Sequence, residues 1–420
     1  MTSTAVPGEI RERPVDVLAP QRRWPAWLTG DFAKLLAVVV GWHVALVGLA
    51  QLFGPSTPVV PGRGVPDTGL GSTWSLLAHT YRWDSVWYGE LAQHGYGSSF
   101  EQVRAFYPVF PGAVWLVQTA SFGLLGVLAA GLVVNLVSTW LAAVALLKIG
   151  RHFFSERGAR LVVAAFLTAP TAYFLHSFYT EAIFCALGFW AYLFALRRQW
   201  LWMGLVLIPV TATRITAAVF VGLCFLEFWR SKEWKLRGLL SWPVLWFPAA
   251  FAGLGAHLLH LKLVTGNAMA GFDPAMMEKY WPYHRLDPDV VSTGWITTKT
   301  ALLAMFGNLP MNEWHLINYV LPFVGLVLLF ASSVYVLFAL RGKGVPLALF
   351  GLASMVMLTI NSNVVSVHRY LLPCLVMYIA LVMIGERRPQ LRVGVNLVLY
   401  ANSLICAVMF IRFTGGAWTG

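Results

Sequence analysis

The sequence is poor in charge. Of its 420 residues only 11% are Asp, Glu, Lys or Arg, against about 25% in an ordinary soluble domain, while 58% are hydrophobic. That balance argues for a polytopic membrane protein. Its apolar runs are continuous; strands of a membrane barrel would alternate between lipid-facing and lumen-facing residues, so the spans are helical. Cysteine is scarce too. The four residues Cys185, Cys224, Cys374 and Cys406 sit inside apolar runs without metal-ligand spacing, as small core residues do, and no disulfide is expected. The Gly-x-x-x-x-Gly-Lys-Ser/Thr phosphate loop is missing, and so is His-Glu-x-x-His. The first absence argues against a nucleotide-driven pump. No cleavable signal peptide is visible, and residues 1–31 read as a polar, Pro-rich, basic, disordered cytoplasmic tail.

What is present is a surplus of cations. The formal net charge is +12; in a membrane protein this reflects Lys and Arg collected in cytoplasmic loops, and no nucleic-acid partner is expected. Used as a topology marker, it places the N-terminus inside and a first span at Phe32–Phe53. Residues 54–107 then form a first outer loop and 265–316 a second, with a single transmembrane domain over 32–412 and a short outer tail at 413–420. The spacing of Trp83, Val86, Trp87 and Leu91 predicts an amphipathic helix within 73–94, lying in the membrane interface. The long apolar stretch 106–148 reads as a short interfacial or re-entrant piece to Phe122 and one span from Gly123 to Leu147; the alternative is two full spans, which would put the basic residues Lys148, Arg151, Arg157 and Arg160 outside. Short helices follow over 161–175, 180–196, 201–212 and 215–229. Further spans are expected at 239–263, 317–340, 346–360, 370–384 and 393–411. The total is about eleven spans, in a range of roughly 10–13.

The four short helices are informative. Legs of roughly 12–16 residues fall short of the about 20 needed to cross. Non-helical backbone at that depth is tolerated only beside a protein or water cavity. The turns at their outer ends carry His176 to Glu181 and Thr211 to Arg214, so a polar recess opening outward is predicted. Asp84, His176, Glu181, Arg214, His368 and Arg369 all sort to this one side, and ionisable residues at membrane depth are functional-site candidates. Each also has a plainer reading. Asp84 can pair with Arg82 or cap its helix, and Glu181 can cap the helix after Thr180. Arg214 can be Glu181's structural partner, and Arg369 a snorkelling cation. His43 and Asn135 read as helix–helix contacts. A lipid phosphate entering sideways from the bilayer would suit Arg214 and Arg369, because guanidinium offers fixed bidentate donors.

Arg82-Trp83-Asp84 with Trp87-Tyr88, then Gly95-Tyr96 and Phe106-Tyr107-Pro108-Val109-Phe110-Pro111, resembles the first luminal loop of the PIG-V family, the GPI mannosyltransferase 2-like enzymes. Ser177 to Ala182, Ala212-Thr213-Arg214 and His368-Arg369-Tyr370 with Pro373 are similar to its later segments. The resemblance runs in order over about residues 81–380. It implies an all-α GT-C fold, with a catalytic acid in the first outer loop and a polyprenyl-phosphate sugar, mannose by analogy, as donor. Transfer would invert the anomeric centre and deliver the hexose to a glycolipid or glycan acceptor on the outer face, that of the plasma membrane if the chain is bacterial.

On this reading Asp84 is the base, while Arg214, Arg369 and His368 hold the donor phosphate. Trp83, Trp87, Tyr88, His176, Tyr179 and Glu181 line the substrate site. A transporter or lipid flippase shares the apolar bulk and the recess, but should show broken helices in matched halves; here the broken pairs cluster in one half. No cofactor or metal is expected, since Asp84 and Glu181 are far apart in sequence and lack ligand spacing. Sugar transfer should therefore survive a chelator such as EDTA; loss of transfer that a divalent ion restores would overturn this.

Overall fold

In the computed structural model, the described residues are 30–54, 75–281, 290–307, 309–359, 364 and 366–419. The expected tail over 1–29, the Pro/Gly-rich part of the first loop and Asp287 and Asp289 of the second loop lie outside them. Among the described residues every regular element is helical. Five helical stretches are long and apolar enough to cross a membrane: Asp31–Phe53, Val127–Phe153, Trp242–Thr265, Glu313–Lys343 and Pro389–Thr414. Shorter apolar helices are Val109–Ala120, Glu181–Leu196, Trp200–Thr211 and Val345–Thr359, so the expected count of about eleven full spans is not established.

Val127–Phe153 is the centre of the bundle. It alone of the five long stretches is mostly buried inside protein, and it packs against Asp31–Phe53, Val109–Ala120, Glu156–Leu167 and Glu181–Leu196. Small residues on its surface, Gly131, Ala142, Ala143 and Ala145, permit that close packing. The outer helices present Val44, Leu52, Phe338, Val393 and Tyr400 to the surroundings, as lipid-facing positions should. Basic residues gather at one set of helix ends. Arg151 reaches Asp31 at 2.6 Å and Glu156 at 2.6 Å, and Arg197, Arg230 and Arg387 follow or close their own helices. Glu181, Arg214 and Arg369 lie before the opposite, N-terminal ends of those same helices or at them.

Several expected helices are interrupted, each with a physical cause. The leg predicted over 161–175 ends at Leu167 and resumes as a 3₁₀ turn, Ala172–Leu175; Pro170 lies between, and the residue before a proline is turned away from helical geometry. The span predicted at 370–384 starts only at Leu375, because Pro373 breaks it from the short helix Val367–Tyr370. The span predicted at 239–263 is a 3₁₀ turn plus Trp246–Ala250 and Ala252–Thr265; Pro248 cannot donate to the turn before it. The interfacial helix within 73–94 is also two pieces, Ser75–Ala78 and Ser85–His94. Trp83 therefore leaves the predicted helical face and takes a left-handed φ of 57°.

The irregular stretch 168–180 runs through the protein interior, so its backbone polar groups need partners. The central helix supplies them. Asn135 Nδ2 donates to the Ser177 carbonyl, and Thr139 Oγ1 donates to the Leu175 carbonyl at 3.3 Å. The sequence reading of Asn135 as a helix–helix contact is refined: it holds a turn. Gly131 makes room for the same turn, since a Cβ there would overlap the Phe178 ring. Gly131→Val should lower unfolding stability by about 1–3 kcal/mol through overpacking, with Gly131→Ala in between, read as the thermal midpoint of the detergent-solubilised protein.

Candidate active site

Asp84 follows the left-handed Trp83 and occupies the N-cap position of Ser85–His94, yet its side chain makes no capping hydrogen bond. Nor does it pair with Arg82, whose guanidinium goes to the carbonyls of Ala78, Tyr81 and Thr414. Both plainer readings of Asp84 are thereby displaced. Its Oδ2 instead accepts from Arg369 Nη1 at 3.3 Å and Nη2 at 3.4 Å. A tight charge-assisted bond is about 2.7–2.9 Å, so the acid is held near the guanidinium without being locked to it.

Glu181 lies between the two arginines. Its Oε1 is 3.3 Å from Arg369 Nε and 3.3 Å from Arg214 Nη2. The carboxylate is 1% exposed, and a charge that deep persists only with paired partners. Arg369 and Arg214 both lie over aromatic faces. The Arg369 guanidinium is 5.2 Å from the Phe174 and Tyr179 ring centroids and 4.8 Å from that of Tyr370. The Arg214 guanidinium is 4.7 Å from the Tyr370 centroid and 5.3 Å from that of Phe184. Aromatic faces attract cations and replace some lost hydration. The result is a chain, Asp84–Arg369–Glu181–Arg214, drawn from four separate stretches of sequence. Glu181 Oε2 and Arg214 Nη1 are buried there and make no hydrogen bond among the described residues, so the cluster retains one acceptor and one donor.

Other expected site residues are distributed around this chain. Tyr179 forms a platform under Arg369 while its hydroxyl donates to the Arg82 carbonyl at 2.9 Å. Tyr88 is buried against Phe106, Phe110 and Tyr179, and burial, then the Glu181 carboxylate, push its hydroxyl well above the usual range, so it stays a neutral donor. Trp83 is 42% exposed and keeps a face open beside Asp84. Trp87 points elsewhere, toward Phe100 in a small apolar cluster with Leu91, Tyr96, Val103 and Leu261. His368 Nε2 lies 2.8 Å from the Thr419 carbonyl, so the structure turns it toward the chain's own C-terminal segment. His176 is buried between His43, 2.7 Å away, and His79, 3.3 Å away, so its ring nitrogens are bonded to two other histidines.

Tyr370 and residues 415–419 were not among the expected site residues. Tyr370 receives a hydrogen bond from Arg369 Nη2 at 2.7 Å and touches both guanidiniums; its place beside Arg369 in the His-Arg-Tyr triplet was the available signal. Residues 415–419 have no signal of comparable strength. Trp83 and Ser366, at φ 57° and 68°, are two of the non-glycine residues with left-handed backbone. They stand one residue before Asp84 and three before Arg369, and such conformations persist only where surroundings over-determine them.

Residues 67–235 match the family described as Mannosyltransferase (PIG-V). That stretch contains Asp84, Glu181 and Arg214 and ends before Arg369, and over it the PIG-V resemblance holds. A comparison with curated proteins gives no match. Among solved structures the chain is similar to the Archaeoglobus fulgidus oligosaccharyltransferase in complex with Zn and sulfate, at 12% identity and a TM-score of 0.48, covering 92% of this chain and 53% of that one. The apo form of that enzyme gives 12% identity and 0.47, with 94% and 57% covered. The Archaeoglobus fulgidus oligosaccharyltransferase AglB with an inhibitory peptide and a dolichol-phosphate gives 12% and 0.44, with 93% and 57% covered. The chain thus spans little more than half the length of these structures.

Pairing within the cluster is testable without any assay of activity. Glu181→Ala should destabilise the protein by about 3–5 kcal/mol, the usual result of leaving buried charge uncompensated. Glu181→Ala with Arg214→Ala should cost less than the sum of the two single changes by about 0.5–3 kcal/mol. Strictly additive melting shifts would show that the two side chains do not interact.

Proposed function

We propose that the chain, an integral membrane protein carrying a PIG-V-type mannosyltransferase region, is an inverting glycosyltransferase of the GT-C fold. It takes a hexose, mannose by the family's chemistry, from a polyprenyl-phosphate donor and delivers it to a glycolipid or glycan acceptor at the extracytoplasmic face. The observation that carries this reading is the convergence of Asp84, Glu181, Arg214 and Arg369 on one partly buried, loosely bonded cluster.

The step has three parts. The acceptor oxygen attacks the anomeric carbon, and Asp84 takes the proton from that hydroxyl. The bond between the anomeric carbon and the phosphate oxygen breaks, and its electron pair leaves with the lipid phosphate. That phosphate gains one negative charge as Asp84 loses one. Arg369 lies beside the acid and Arg214 carries an uncommitted buried Nη1, so both suit the leaving group, and fixed cations in a dry site stabilise such charge strongly. Glu181 balances the two arginines when no phosphate is bound. Trp83 and Tyr88 flank the acid and suit a sugar ring. A cavity of about 330 Å³ between the two outer loops, lined by Glu101, Arg104, Asn267, Asp273 and Lys279, suits the polar part of an acceptor. Lys279 and Tyr280 bind Glu101 at 2.8 and 2.9 Å and fasten one loop to the other beside it.

Asp84→Asn keeps the shape and removes the base. Transfer from polyprenyl-phosphate-mannose should fall by about 10²–10⁴ in kcat, with donor binding retained. Arg214→Lys, which exchanges a planar fork for a point charge, should weaken donor binding instead. Near-normal kcat in a folded Asp84→Asn protein would sink the assignment, and movement of the lipid across a bilayer with its sugar–phosphate bond intact would identify a flippase.

A further inference from the structure

The contact between Asp84 and Arg369 is long, at 3.3 and 3.4 Å, and the residues leading into both have left-handed backbone. Something other than their mutual attraction must set their separation. The last helix, Arg392–Thr414, and the segment after it meet both sides. Arg82 Nε and Nη2 donate to the carbonyl of Thr414, the final residue of the helix, at 3.0 and 2.6 Å. Trp83 Nε1 donates to the Ala417 carbonyl at 3.2 Å, and the Trp83 and Trp418 rings meet edge to face at 4.9 Å. These contacts hold the two residues that precede Asp84.

On the other side, His368 precedes Arg369 directly. Its Nε2 lies 2.8 Å from the Thr419 carbonyl; a carbonyl only accepts, so Nε2 carries the proton. The Tyr173 hydroxyl reaches the same carbonyl at 3.0 Å and the Thr419 hydroxyl at 2.8 Å. Thr171 Oγ1 donates to the His368 carbonyl at 3.2 Å. Thr419 is 1% exposed, so these bonds form away from competing water and carry more weight than surface bonds do.

We propose that residues 415–419 are a brace that fixes the distance between Asp84 and Arg369, with Trp418 and Thr419 as positioning residues for the transfer reaction. The segment touches neither Asp84 nor Arg369 in any hydrogen bond or ion pair described above. It acts through Trp83 on one side and His368 on the other. The proposal rests on the reading of Asp84 as base and Arg369 as phosphate ligand. It adds that the reacting geometry is completed by a piece of chain more than 300 residues beyond the first outer loop. Misplacing reacting groups by about 1 Å can cost roughly 10²-fold in rate. Loss of the brace should therefore lower kcat far more than it weakens donor binding.

The test uses the full chain in lipid nanodiscs, with Trp418→Ala, the conservative Trp418→Phe, and Tyr173→Phe. Hydrogen exchange should rise in Trp418→Ala over residues 82–88 and 366–370 and stay unchanged over Val127–Phe153. In parallel kcat should fall by about 10- to 100-fold while the donor KM moves by less than about threefold, and Trp418→Phe should recover most of it. Unchanged exchange in both segments overturns the brace, whatever the activity. Raised exchange with unchanged kcat overturns its positioning role. If Trp418→Ala loses protection throughout, Tyr173→Phe, which removes one hydroxyl, decides by the same two readings. A wild-type protein that transfers no sugar would defeat the functional reading, and the exchange data would then decide the brace alone.

Discussion

The placement of one guanidinium beside two carboxylates governs the rest of the site. Arg369 is nearly buried, 5% exposed, and a cation at that depth needs opposite charge and polarisable faces around it. Asp84 and Glu181 provide the charge, and Phe174, Tyr179 and Tyr370 provide the faces. Meeting that requirement draws together the start of Ser85–His94, the turn before Glu181–Leu196 and the short helix Val367–Tyr370, which are far apart in sequence. Arg214 then joins through the shared Glu181 oxygen. Two acids and two arginines leave the cluster with balanced formal charge, which is the least costly arrangement where Glu181 and Arg369 are buried and Asp84 and Arg214 are only partly exposed.

Bringing those stretches to one place requires non-helical backbone inside the bundle, and each exposed peptide group there must be satisfied. The central helix does this with Asn135 and Thr139, while His43 and His79 enclose His176 from either side. Polar residues on spans thus hold the turn that presents Glu181. The same economy appears at the C-terminal end, where Arg82, Tyr173 and His368 satisfy the carbonyls of Thr414 and Thr419.

Much of this was legible in the sequence because two signals are strong there. Apolar runs bounded by arginines located the short helices: Glu181–Leu196 matches the expected 180–196 closely, and Trp200–Thr211 matches 201–212. The cost of charge at membrane depth singled out Asp84, Glu181, Arg214 and Arg369 before any contact was known. What escaped was conformation that no local pattern encodes. A residue such as Trp83 carries no mark of a left-handed φ, which here is imposed by tertiary partners at Ala417 and Trp418. Prolines 170, 248 and 373 were visible, but hydropathy averages across them, so the helices were drawn too long. His176 and His368 share the polarity of the site residues, and only the tertiary structure turns the first toward two other histidines and the second toward the Thr419 carbonyl.

The looseness of the Asp84–Arg369 contact is itself consistent with the proposed chemistry. An acid clamped at about 2.8 Å by a bidentate arginine would be a poor proton acceptor, because the guanidinium would stabilise its charged form. At 3.3–3.4 Å the acid keeps its place beside the guanidinium without a short charge-assisted bond to it. In the proposed transfer, the arriving proton neutralises Asp84 while negative charge appears on the departing phosphate. A guanidinium beside both, the role proposed for Arg369, would see an almost constant total charge and would need to reorient little, and preorganised groups of this kind lower a barrier most effectively. The arrangement therefore depends on distance more than on bond strength. On the proposed chemistry, the buried hydrogen bonds from Arg82, Tyr173 and His368 to the last helix and the segment after it serve that distance by fixing the backbone on either side of the pair.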